Sequence, residues 1–111
     1  MTTIYAIHAP EADRLDDVIE QMKALGAPTI EVVDCGDHYM ALEGSHRLAA
    51  ARELGIAPIL VVHEQEDIID IRRFDWSEEM TFADDNYSAG EIAGELFSPT
   101  QAVSYFFDDA D

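Results

Sequence analysis

Gly44-Ser45-His46-Arg47 combines residue types that can hold an anion at one point of the chain. A glycine turn that opens directly into a helix leaves the first helical N–H groups unpaired and puts the positive end of the helix dipole at the turn. Ser45 can cap that helix or donate to a phosphate oxygen, and His46 and Arg47 add further donors. Each also has a plainer reading. Ser45 alone is explained by capping, Gly44 by close backbone approach, and Arg47 by a surface pair with Glu43 or Glu53. Glu43 adjoins the turn, and its carboxylate repels a polyphosphate unless a magnesium ion or a proton lies between them.

The elements that must position these residues follow from periodicity. Thr3-Ile4-Tyr5-Ala6-Ile7 reads as a strand ended by Ala9-Pro10. Leu15, Val18, Ile19, Met22 and Leu25 recur at helical spacing, with Asp13 as expected cap and Gly26 and Pro28 as stop. Ile30–Asp34 and Tyr39–Leu42 read as a hairpin around Cys35-Gly36-Asp37. A helix is expected from Ser45 to Leu54, closed by Gly55 and followed by Pro58. Ile59-Leu60-Val61-Val62 is a continuous apolar run and is expected as a central strand covered on both faces. Beyond Glu64, Ser88-Ala89-Gly90-Glu91 and Ser98-Pro99-Thr100-Gln101 both have the form of capping boxes, so two short helices are expected there, the second carrying Val103, Phe106 and Phe107.

Composition bounds the function. A chain of 111 residues with 48% hydrophobic content suits one folded domain. No apolar run approaches the ~20 residues of a membrane span, and no signal peptide is visible; with the single Cys35 this makes a cytoplasmic location the expectation. Against 24 acids stand six Lys and Arg, for a net charge of −18. Such a field repels nucleic acid and anionic membrane, and favours basic protein partners or a salt-rich milieu. Its origin is open among salt adaptation, simple solubility, and mimicry of nucleic acid by carboxylates. His8, His38, His63 and Cys35 show no metal-ligand spacing, and no metal site is expected. Arg72-Arg73, beside Phe74 and Trp76, either stack on a base or pair locally with acids. The C-terminal acids Asp84-Asp85, Asp108-Asp109 and Asp111, interspersed with aromatics, are a solvated edge or a protein-binding surface.

The stretch Leu15–Val62 resembles the ParB/sulfiredoxin superfamily, whose members carry a helix ending in glycine, a β-hairpin, and a G-x-[HR]-R turn that starts a helix. The run Leu42-Glu43-Gly44-Ser45-His46-Arg47-Leu48-Ala49-Ala50-Ala51-Arg52-Glu53-Leu54-Gly55, followed by Ala57-Pro58-Ile59-Leu60-Val61, carries the resemblance. It implies an α/β (α+β) fold, a small mixed sheet with packed helices; with the capping boxes beyond Glu64, the expected layout is one domain with a core over 3–64 and an acidic, aromatic helical extension over 65–111. It further implies that Gly44, Ser45, His46 and Arg47 bind the phosphates of a nucleoside di- or triphosphate with Mg2+. Sulfiredoxins have a catalytic cysteine where Ser45 stands, so thiol chemistry of that kind is not expected. DNA-partition members carry a proline/arginine box, where this chain has Ala9-Pro10-Glu11-Ala12-Asp13-Arg14, and a helix-turn-helix for which no length is left. Members that phosphorylate a free amino acid use a glutamate base, a role for which Glu43 is the candidate by proximity.

Two functions from different classes are therefore expected. One is a small module that binds nucleotide phosphates at Gly44–Arg47 in a regulatory or binding role, or as a phosphotransferase or nucleotide hydrolase. The other is an acidic nucleic-acid mimic, of the anti-defence type, that blocks a DNA- or RNA-binding protein.

Overall fold

The computed structural model describes residues 2–74, 86–97 and 101–107. Strand β1 (Thr2–Ala6) leads into helix α1 (Ala12–Leu25), then into strands β2 (Thr29–Asp34) and β3 (Tyr39–Ala41). Helix α2 (Ser45–Leu54) and strand β4 (Ile59–His63) follow. After β4 come the short strands β5 (Ile68–Asp70) and β6 (Asn86–Ser88), helix α3 (Ala89–Leu96) and strand β7 (Val103–Phe107). This is an α/β domain built on a mixed sheet of order β4-β2-β3-β1-β7, with β5 and β6 as a separate antiparallel pair. Within the main sheet, β1 runs parallel to β3 and β2 parallel to β4; the β2–β3 and β1–β7 pairs are antiparallel.

Alternation along the strands divides the core into two layers. Ile4, Ile30, Val32 and Ala41 face α1 and α2, where Leu15, Val18, Ile19, Met22 and Leu48 meet them. Their neighbours Tyr5, Val33, Met40 and Leu42 point to the other face, under Ile92, Ala93 and Leu96 of α3. A one-residue register slip would exchange these sets, so burial on both faces fixes the pairing.

Three sequence expectations need correction. The run Ile59–Val62 forms β4, but β4 is an edge strand of the sheet, with Ile59, Val61 and Val62 56%, 42% and 43% exposed. Residues 103–107 are not helical: they pair antiparallel with β1, from Thr2 opposite Phe107 to Ala6 opposite Val103. The sheet is thus completed by a strand from the stretch that the sequence assigned to a helical extension. Asp13 lies inside α1, whose N-cap is Glu11 without a side-chain cap bond, and Leu25 ends the helix in solvent.

The helix expected to start at Ser88 is present. Ser88 caps α3 by accepting from the Glu91 N–H at 3.3 Å. Residues 98–100 of the second box, Trp76, and the acids Asp84, Asp85, Asp108, Asp109 and Asp111 lie outside the described residues. Arg72 and Arg73 pair locally: Arg72 Nη2 reaches Asp70 Oδ2 at 2.7 Å, and Arg73 Nη2 reaches Glu31 Oε1 at 2.7 Å. Glu31 also meets His63 Nε2 at 3.2 Å, so one carboxylate on β2 ties down both β4 and the short 3-10 turn Ile71–Arg73.

Candidate functional site at the amino end of helix α2

Gly44 is the N-cap of α2 and adopts the left-handed conformation, with φ +80° and ψ +32°. A side chain here would be strained by the backbone, and an added Cβ would sit 2.7 Å from Ile30 Cδ1 and 3.2 Å from Arg47 Nη2. The glycine is therefore required by the turn and by core packing directly beneath it. Gly55 mirrors it at the other end, at φ +69°, with its N–H on the Arg52 carbonyl, and Ile56 N–H returns to Ala51. Between the two glycines, Leu48, Ala50 and Ala51 are fully buried, which fixes where the helix begins in space.

Ser45 is the first residue inside the helix rather than its cap, and it is buried. No side chain caps α2. The first intrahelical bond runs from Leu48 N–H to the Gly44 carbonyl at 2.8 Å, so the N–H groups of Ser45, His46 and Arg47 have no partner within the helix. These amides are the donors that an anion would use at this position.

Arg47 is committed on both sides of its guanidinium. Nη1 donates to the Thr29 carbonyl at 2.9 Å, and Nη2 to Glu43 Oε1 at 2.8 Å. Of the two sequence readings for Arg47, pairing with Glu43 is the one seen in this geometry. The pair has two consequences. It clamps the start of α2 to the start of β2, and it offsets the Glu43 charge that stood against an anion at this turn.

His46 faces a different neighbourhood. Its Nε2 accepts the Glu11 N–H at 2.9 Å, so the proton of the neutral ring is on Nδ1. Its ring lies edge-on to His8, with centroids 5.9 Å apart, and His8 Nδ1 donates to the Ala9 carbonyl at 2.7 Å. Desolvation pushes the His46 pKa below its ordinary value, with Arg14 and then His8 adding to the effect through their charge, against a smaller opposing pull from Glu11. His8 thus contacts the site directly and Arg14 acts on it through its charge, although neither is part of the motif. The sequence signal was only that a cation sits on the first turn of α1 and an imidazole just after β1. The packing of α1 against α2 brings Arg14 towards the start of α2, and the connection between β1 and α1 brings His8 there.

The remaining candidates are scattered. His38 Nδ1 contacts Asp37 Oδ1 at 2.6 Å and His63 contacts Glu31, on different elements. Among the described residues no group of three or more His, Cys, Asp and Glu side chains is arranged to hold a metal ion. Burial pushes the Cys35 thiol up from its ordinary pKa, opposite to the activation a nucleophile needs.

No family model, no curated protein and no solved structure matches the chain. Among the described residues no helix is long and apolar enough to cross a membrane.

Proposed function

We propose that the amino end of α2 binds the phosphate groups of a small nucleotide-like ligand and that the protein serves as a binding or regulatory module. The observation that carries this reading is an uncapped helix start with His8 packed edge-on against His46 beside it, where Arg14 acts on His46 through its charge more strongly than the opposing Glu11. Two of the chain's six Lys and Arg residues, Arg14 and Arg47, lie on or next to this helix start, in a chain of net charge −18. Of the two carboxylates nearby, Glu43 is paired with Arg47, and the pull of Glu11 on His46 is smaller than the push from Arg14 and His8. In this reading the phosphate accepts from the Ser45, His46 and Arg47 N–H groups, and Arg14 supplies charge from the side. Arg47 acts by neutralising Glu43 and holding the turn, and Mg2+ on the phosphates lowers the remaining repulsion from the protein's field.

A thermal-shift series with nucleoside di- and triphosphates, with and without Mg2+, tests it. A ligand at ~100 times its Kd adds about 2.7 kcal/mol, a rise on the order of 10 °C in a domain of this size. Arg14→Ala should remove most of that rise while leaving the unliganded Tm nearly unchanged, since Arg14 is exposed. A flat response across the series overturns the reading.

The acidic-mimic reading has its own support in α1. Asp13, Asp16, Asp17 and Glu20 are all exposed at spacings of three and four residues, a row of carboxylates along one helical face. Neutralising these four as amides should abolish salt-sensitive binding to an oligo-arginine peptide. Neutralising the equally exposed Glu53, Glu64, Glu66 and Glu95 should not. Equal losses from both sets would leave only a diffuse charge effect.

A further inference from the structure

The sheet face opposite α1 and α2 carries a cavity of about 340 Å3 between β1, β3 and α3, within the size range of small-molecule sites. It is independent of the α2 site. Its aromatic walls come from three separate segments. Tyr5 stands nearly perpendicular to His38, with centroids 4.9 Å apart at 77°, and to Phe97, with centroids 5.7 Å apart at 84°. Met40 and Ala93 extend the apolar lining.

Helix α3 contributes glycines where the cavity approaches it. At Gly90 the reason is internal, since an added Cβ would run into the Gln65 side-chain oxygen. Gly94 is different: nothing lies within 4 Å of where its Cβ would be, and its backbone is helical. Glycine inside a helix is destabilising relative to alanine, and no contact requires it here. Gly94 is exposed and lies on the cavity lining, so a larger side chain there would extend into the open space beside the cavity.

Polarity selects the class of occupant. The Gln65 amide nitrogen donates to the Asp34 carbonyl at 2.8 Å, His38 Nδ1 pairs with Asp37 Oδ1, and among the described residues no lysine or arginine lines the cavity to hold an anion. Asp34 and Asp37 act on the adjacent Cys35 thiol in the direction of a negative local field, and the whole chain reinforces it. Apolar walls with aromatic rings in a negative field suit a bulky, weakly hydrated cation, held by ring quadrupoles and methyl contacts rather than by hydrogen bonds. We propose that the cavity walled by Tyr5, His38 and Phe97 and floored at Gly94 binds a small organic cation whose charge sits on a methylated ammonium group.

The test compares choline with its uncharged isostere, in which tert-butyl replaces the trimethylammonium group, by calorimetric titration of the intact chain. Choline should bind about tenfold or more tightly than the isostere. Gly94→Leu, which improves helix propensity and enters open space, should fold normally and abolish choline binding. Phe97→Ala should weaken it. Equal binding of choline and isostere would overturn the cation assignment; no binding of choline, or binding retained in Gly94→Leu, would overturn the site. Gly94→Leu should keep any nucleotide response, so failure here is separable from failure at α2.

Discussion

Arg47 reaches back one helical turn to Glu43, with Nη2 2.8 Å from Oε1, while its Nη1 holds the Thr29 carbonyl at 2.9 Å. One guanidinium thus joins the turn, the helix and the start of β2. The pair is roughly one-third exposed on both sides, at 39% and 33%, so its Coulombic part contributes at most about 1 kcal/mol. The bond to Thr29 adds a further ~1 kcal/mol. Arg47→Ala should therefore lower unfolding free energy by about 1–2 kcal/mol in urea denaturation. Arg47→Lys should recover less than half of it, because an ammonium cannot span both acceptors.

Removing the partner has the opposite sign for ligand. Glu43→Gln deletes a carboxylate beside the α2 amides and frees the Arg47 charge. Phosphate affinity should rise several-fold, most clearly without Mg2+, when the thermal-shift series is repeated on the variant. A fall in affinity would show that Glu43 takes part in ligand or metal binding directly.

His46 makes the stability of the fold depend on pH. Its folded-state pKa lies below the ordinary value of 6.5, so the unfolded chain takes up the proton first as pH falls. Stability from this group is intact above about pH 6.5 and declines below it, down to the folded-state pKa. Protonation also requires Nε2 to give up the Glu11 N–H. His46→Asn, which can still accept a bond, should flatten the denaturation midpoint between about pH 7 and 5. An unchanged slope would place the acid sensitivity elsewhere.

Gly44 and Gly36 separate backbone strain from crowding. Both have positive φ, +80° and +96°, but a Cβ at Gly36 meets nothing, whereas one at Gly44 meets Ile30 Cδ1 at 2.7 Å. Gly36→Ala should cost on the order of 1 kcal/mol for the conformation alone. Gly44→Ala should cost clearly more, by about 1–3 kcal/mol, and Ile30→Val in the same chain should return part of the difference.

How far the sequence could be read depends on how local the determinants were. Helix α2 was legible to the residue, because Gly44, Gly55 and the buried Leu48-Ala49-Ala50-Ala51 run act within a few positions. The position of β4 was not. An apolar run of Ile59 to Val62 reads the same whether it is central or at an edge, and only the pairing order places it beside β2 alone. Leu48→Ala should accordingly cost about 2–5 kcal/mol from a site with no exposure, while Ile59→Ala, 56% exposed, should cost under about 1 kcal/mol. Residues 103–107 were misassigned because a capping-box pattern is a local signal, and the partner strand β1 lies at the far end of the chain. At the candidate site, Gly44, His46 and Arg47 were visible as a motif. Arg14 and His8 became visible only through the way α1 and the connection before it lie against α2, and Ser45 moved from cap to buried first turn because Gly44 itself takes the cap position.

The most direct test of the α2 site is a proton–nitrogen NMR correlation spectrum of the assigned chain, titrated with ATP and Mg2+. Binding at the α2 site should give saturable shifts concentrated on the backbone amides of Ser45, His46 and Arg47 and on the side chains of Arg14 and His8. Those shifts should weaken strongly in Arg14→Ala. A spectrum unchanged at these amides through millimolar nucleotide, or shifts spread evenly over the surface, would contradict it.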